Sequence, residues 1–178
     1  MFRAFAVRLP HVGATIAVLA LAACTQPSPP SNQSTKAPPP TYDIVAQIRA
    51  AGERDKSAIE VAPLRDPGVT GLQDGASADE RAQQYDAAGA KLDSALKIAG
   101  DAPDLLQDRA EIYVRQRDYK DAEKLARHSF DIGPKLGSLC ARNWQTVVEM
   151  RLQAQDEAGA VNARQELAKC HQSGPVRM

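Results

Sequence analysis

Aromatic residues make up only 4% of this 178-residue chain. Strands favour aromatic and β-branched residues, so the scarcity disfavours a β-sandwich or barrel. Neither sign of charge prevails, with 22 Lys and Arg against 22 Asp and Glu. A nucleic-acid binder would need a basic surplus, and none exists. Histidine is rare as well, at three residues. Only His128 and His171 lie beyond the N-terminal segment, and His128 sits beside Lys124 and Arg127 on a polar stretch. Ser129 next to it falls at a small-residue packing position, so no nucleophile–base set is apparent. No G-x-G-x-x-G, P-loop or C-x-x-C occurs. These absences argue against an enzyme, a cofactor site and a metal site.

What is present begins with an export signal. Arg3 and Arg8 precede an apolar core from Val12 to Leu21, and the stretch ends Leu21-Ala22-Ala23-Cys24. A charged start, a short apolar core and small residues before a cut mark a secretory signal. The core falls short of the roughly 20 apolar residues that a membrane span needs. Leu-Ala-Ala-Cys resembles the bacterial lipoprotein box. The resemblance implies a signal peptide at 1–23, cleavage before Cys24 and a covalent lipid on that cysteine, which is the one non-protein group expected. A plain secreted protein with an incidental Cys is the alternative, and the A-x-A cleavage pattern fits less well. Thr25 follows the cysteine where an inner-membrane lipoprotein would carry Asp, so the anchor is expected in the outer membrane with the domain facing the periplasm.

Residues 24–41 are rich in Pro, Ser, Thr and Gln and lack apolar periodicity. Such a composition cannot bury a core and stays extended, reaching up to about 50 Å. It reads as a tether behind the lipid anchor, with a Pro-rich ligand as the alternative. Residues 42–66 form a short helical leading segment. Ile44, Val45 and Ile48 share one helical stripe, and the segment is expected to pack on the first repeat. Pro67 then suits a helix first turn. The downstream half is rich in Ala, Leu, Gln, Arg and Glu, which favours helix.

Pro103–Pro134 organises the chain. Leu105, Leu106, Ala110, Ile112, Tyr113 and Val114 precede a joint at Arg117-Asp118. Tyr119, Ala122, Leu125, Ala126, Ser129 and Phe130 follow it. The pattern fits two antiparallel helices that approach closely at their small residues. Tyr85 and Tyr119 lie 34 residues apart, as do Ala88 and Ala122, and Ala76 and Ala110. A third unit aligns at an offset of 38, matching Gln155-Asp156 to Arg117-Asp118 and Ala160 to Ala122. Gly100 and Gly133 suit left-handed C-terminal positions, and Asp118 and Asp156 suit N-caps. The 34-residue period resembles the tetratricopeptide repeat, and Trp144 falls where that family prefers Trp. The resemblance implies an all-α fold, a right-handed stack of about three antiparallel helix hairpins over residues 67–172, with a tail at 173–178. An unrelated helical bundle is the alternative.

Within that stack, Cys140 lies near the start of one helix and Cys170 near the end of its hairpin partner. Those ends are neighbours in an antiparallel pair, and an exported compartment permits a disulfide. His171 beside Cys170 gives the competing reading of a metal or redox site, which has too few ligands. The family's first helices line a groove for a peptide or partner helix. Carried over, the groove residues are Asp104, Gln107 and Glu111 of the second unit and Arg142, Gln145 and Glu149 of the third. Glu111/Arg115 and Asp121/Arg127 read as weak pairs on solvated faces. The function expected is an adaptor or scaffold, anchored to the membrane through its lipid, that binds an envelope protein or peptide segment. The alternative is a structural lipoprotein or small-ligand carrier with no fixed protein partner.

Overall fold

The computed structural model describes residues 40–55 and 64–171. The expected signal peptide, the lipid site at Cys24, the tether up to residue 39 and the tail at 173–178 lie outside these residues.

Three joints set the architecture. Gln83, Arg117 and Gln155 have φ of 60°, 62° and 58°, at spacings of 34 and 38 residues. A non-glycine residue in this left-handed region costs about 1–2 kcal/mol, so its recurrence reflects a repeated demand of the fold. The residue after each joint donates its N–H five residues back. Gln84 reaches Asp79, Asp118 reaches Tyr113 and Asp156 reaches Arg151, at 2.8, 2.9 and 2.9 Å. This bond satisfies an otherwise orphaned carbonyl and ends each helix in one way. Asp118 and Asp156 then cap the next helix, accepting from Asp121 N at 3.3 Å and Gly159 N at 2.8 Å. Gln84 makes no side-chain cap.

The described residues form seven helices and no strand. They are α1 (Ile44–Arg54), α2 (Pro67–Arg81), α3 (Tyr85–Ala99), α4 (Pro103–Gln116), α5 (Tyr119–Ile132), α6 (Gly137–Gln153) and α7 (Glu157–Lys169). The fold is all-α, as the sequence indicated. Hairpins α2/α3, α4/α5 and α6/α7 stack in chain order through α3 on α4 and α5 on α6. Ala88, Ala95, Ala110, Ala122, Ala126 and Ala160 are fully buried, so the helices meet closely along small residues. Val69, Leu92, Leu105 and Ile112 fill the space between the first two hairpins. Ser129 Oγ donates to Pro103 O at 2.6 Å and ties α5 to the start of α4. Phe130 meets Trp144 edge to face with centroids 5.0 Å apart.

Gly133 departs from expectation. Its φ is −95°, an extended conformation open to any residue. Glycine is needed there for space, because an added Cβ would lie 2.6 Å from Ser129 O and 2.9 Å from Pro103 Cβ. Gly100 does take a positive φ of 72°.

Cys140 and Cys170 are disulfide-bonded, with Cα atoms 5.6 Å apart. The bond closes the start of α6 onto the end of α7, and Gly137 N donates to Cys170 O beside it at 2.8 Å.

The leading helix lies elsewhere than expected. α1 packs on α6 and α4, the first helices of the third and second hairpins, and not on the first repeat. Asp43 caps it by accepting from Ala46 N at 3.0 Å. Ile44, Val45, Ile48, Ala51 and Gly52 form its buried stripe. Ile44, Val45 and Ile48 meet Val114, Ala122 and Met150, with Tyr113 and Tyr119 at the margin, and Ala51 meets Cys140, Ala141 and Cys170. Local periodicity identifies that stripe but holds no information about which distant surface covers it. Among the described residues, no helix is long and apolar enough to cross a membrane.

Candidate functional site

The inward face of the stack is built by its first helices, α2, α4 and α6. α1 lies against α6 and α4, so the chain itself covers that part of the face. The expected groove residues fall mostly beneath that cover. Gln107 and Glu111 are fully buried and Glu149 nearly so. Gln145 and Asp104 are half-buried. Asp104 pairs with Arg65. Gln107 donates from Nε2 to Thr146 Oγ1 at 2.9 Å and to Glu111 Oε1 at 3.1 Å. Gln145 donates to Glu149 Oε1 at 2.8 Å, and Tyr42 Oη donates to Glu149 Oε2 at 2.6 Å. In this structure, Gln107, Glu111 and Glu149 serve the packing of α1, α4 and α6 and do not face an open groove.

Glu111 is the centre of the network. Arg142 Nη2 lies 2.6 Å from its Oε1, and Arg49 Nε of α1 lies 2.7 Å from its Oε2. Burial alone would raise this carboxyl. Arg142 and Arg49 outweigh burial and hold Glu111 below the usual glutamate range. Asp108 shares Arg142 at 2.7 Å and takes a bond from Gln73 Nε2 at 2.7 Å. Burial, joined by the nearby Glu111 charge, pushes Asp108 upward against the pull of Arg142. The Arg142 guanidinium loses hydration, but the two carboxylates more than offset that and raise its pKa. Burial and the hydrogen bond to Glu149 push the Tyr42 hydroxyl up to about 12.

The same network spans the inward face. Arg49 also reaches Glu80 of α2 at 2.7 Å. Arg115 bonds Glu80 at 3.2 Å and Asp43 at 2.8 Å. The Glu111/Arg115 pair read from i,i+4 spacing is therefore absent. Glu111 is drawn to Arg142 and Arg49, where its burial makes charge pairing stronger, and Arg115 is drawn to Glu80 and Asp43. Arg127 likewise pairs with Glu123 at 2.8 Å rather than with Asp121.

The sequence reading missed Arg49, Glu80, Asp108 and Tyr42. Arg49 and Glu111 lie 62 residues apart, and Tyr42 and Glu149 lie 107 apart. No local pattern joins residues so distant. The one available signal was an arginine directly after Ile48 in an otherwise apolar-striped helix.

What stays open is a cleft of about 800 Å³ between α1 and α2. Its walls include Gln73, Ser77 and Glu80 of α2, Arg49 and Glu53 of α1, and Arg115 of α4, with Ile112 at the floor. Ser77, Arg81 and Gln83 at its edge are exposed. These groups offer hydrogen-bond donors and acceptors and charges of both signs. His128 and His171 are exposed and lie elsewhere, against Asp101 and Asp55. Among the described residues, no group of three or more His, Cys, Asp or Glu is placed to hold a metal ion.

This stack of helix hairpins has a solved counterpart. The chain is similar to the globular C-terminal domain of P. aeruginosa LpoP. The TM-score is 0.56 with 28% identity, over 59% of this chain and 99% of the LpoP structure. The whole of that globular domain therefore has an equivalent here. The chain matches no protein-family model, and no curated protein matches it.

Proposed function

We propose that this protein is an outer-membrane lipoprotein adaptor whose helical stack, a tetratricopeptide-like array, binds a segment of another envelope protein. The observation that carries this reading is the cleft between α1 and α2, where a first-helix face remains open and polar. The likeness to the globular C-terminal domain of LpoP supports a compact helical stack as the binding unit. The Leu-Ala-Ala-Cys sequence and the Pro-rich stretch behind it support a lipid on Cys24 and a tether that holds the domain off the bilayer. Residues 67–172 then act as the binding unit, and residues 42–66 supply a helix to its inner face.

Crosslinking in the envelope followed by pull-down tests the reading. A stoichiometric protein partner should be recovered. Ser77→Arg, which fills the cleft from an exposed position on α2, should reduce that recovery at least tenfold and leave helicity unchanged. Recovery unaffected by Ser77→Arg would remove the cleft from the proposal. Recovery of lipid or a small molecule in place of protein would favour a carrier.

A further inference from the structure

The inward face already shows what kind of element it accepts, because α1 occupies it. The seat has three parts. Val114 and Met150 receive Ile44, Val45 and Ile48. Glu111 receives Arg49 at 2.7 Å. At the end of the seat α1 presses against Arg142, where a Cβ on Gly52 would lie 2.7 Å from Arg142 Cγ. The pattern read is Ile-Val-x-x-Ile-Arg-x-Ala-Gly, residues 44–52.

Removing one member of a buried ion pair ordinarily leaves a stranded charge at a large cost. Here the stack holds a second partner for each acid that α1 contacts. Glu111 keeps Arg142 at 2.6 Å, Glu80 keeps Arg115 at 3.2 Å, and Glu149 keeps Gln145 at 2.8 Å. Arg115, bound by Asp43 of the leading segment, keeps Glu80 in turn. Loss of α1 therefore strands no charge among these groups and uncovers an apolar strip centred on Val114 and Met150. An 11-residue helix is also too short to persist in water on its own, so α1 is ordered by its seat.

We infer that α1 is an exchangeable occupant of the seat on α4 and α6, and that an amphipathic helix of the partner, repeating the Ile-Val-x-x-Ile-Arg-x-Ala-Gly pattern, takes its place. The leading helix then regulates access, and partner binding releases it. The inference rests on the adaptor reading for the existence of a partner, whereas exchange at the seat does not.

The test uses a fluorescent peptide of residues 42–55 added to the intact chain, followed by anisotropy. Apparent affinity scales with the fraction of chains whose seat is empty. The peptide should bind saturably, and Ile48→Ala in the chain's own α1 should tighten binding about tenfold or more. Arg49→Ala in the chain, at a half-exposed position, should act in the same direction to a smaller extent. A peptide carrying Ile48→Asp should not bind. Amide exchange should show α1 opening faster than α4 and α6. No binding by the wild type or by either variant, with helicity intact, would overturn the inference and make α1 a permanent part of the core. So would α1 amides as protected as those of α6. A concentration-dependent dimer that alone accounts for exchange would replace the partner helix with the α1 of a second copy. Peptide exchange without a recovered envelope protein would defeat the adaptor reading and leave the seat standing. A recovered partner without exchange would do the reverse.

Discussion

α2 and α6 hold the same place in their hairpins, yet their surroundings differ. α2 buries only Val69 and Ala76. α6 buries residues along its whole length, among them the polar Asn143, Thr146 and Glu149. The difference comes from what surrounds each helix. α6 is wrapped by α1, α5 and α7, whereas α2 packs chiefly on α3. A first helix in this stack is thus half-covered by its own hairpin, and a further element must complete it. α6 has found that element within the chain, and α2 faces the cleft.

Breaking the α6 side should have the largest effect. Glu111→Ala removes the fully buried carboxylate that Arg142 and Arg49 share, leaves Arg142 with Asp108 alone, and should cost about 3–5 kcal/mol in urea unfolding. The pH dependence follows from the lowered Glu111 pKa. Its contribution is complete above the ordinary glutamate value of about 4.3 and is lost as pH falls through the lower folded value. Glu111→Gln should therefore flatten the acid limb of the stability curve. Asp108 is pushed the other way and gains on protonation, so Asp108→Asn should steepen that limb.

Replacing Cys140 and Cys170 with Ser should cost about 3 kcal/mol for a loop of this size, read as a lower urea midpoint. The loss should fall on α6 and α7, and α2 amide exchange should not change. Gly52→Ala should cost about 1–3 kcal/mol by overpacking against Arg142. Its signature is faster exchange in α1 and α6, which would make α6 behave more like α2. The smallest effect concerns the joints. Gln84→Asp would give the first hairpin the cap that Asp118 and Asp156 give the others, with an expected gain of about 0.5–1 kcal/mol in thermal unfolding. No gain would mean that the first joint is held by its backbone bonds alone.

The repeat was legible because its determinants are local. The spacings of 34 and 38 appear both in the sequence and in the positive-φ joints at 83, 117 and 155. The caps at Asp118 and Asp156 and the stripe of Ile44, Val45 and Ile48 were legible for the same reason. Where α1 docks was not legible. Its stripe fits any apolar surface, and only the folded stack brings Val114 and Met150 together to receive it. Gln107, Glu111 and Glu149 were expected in an open groove because polar residues on a first-helix face resemble a binding surface. Their burial follows from pairing with Arg142, Thr146 and Tyr42, long-range partners that periodicity cannot reveal.

The position of α1 also sets an order of events. The helix comes before every repeat in the chain, but its seat needs α6, near the other end. Tyr42 meets Glu149 across 107 residues, and Asp55 meets His171 across 116. Contacts of such span form late, after the intervening chain has been organised. The first of the described helices to be synthesised is therefore the last to settle, and its docking reports that the hairpin α6/α7 is complete.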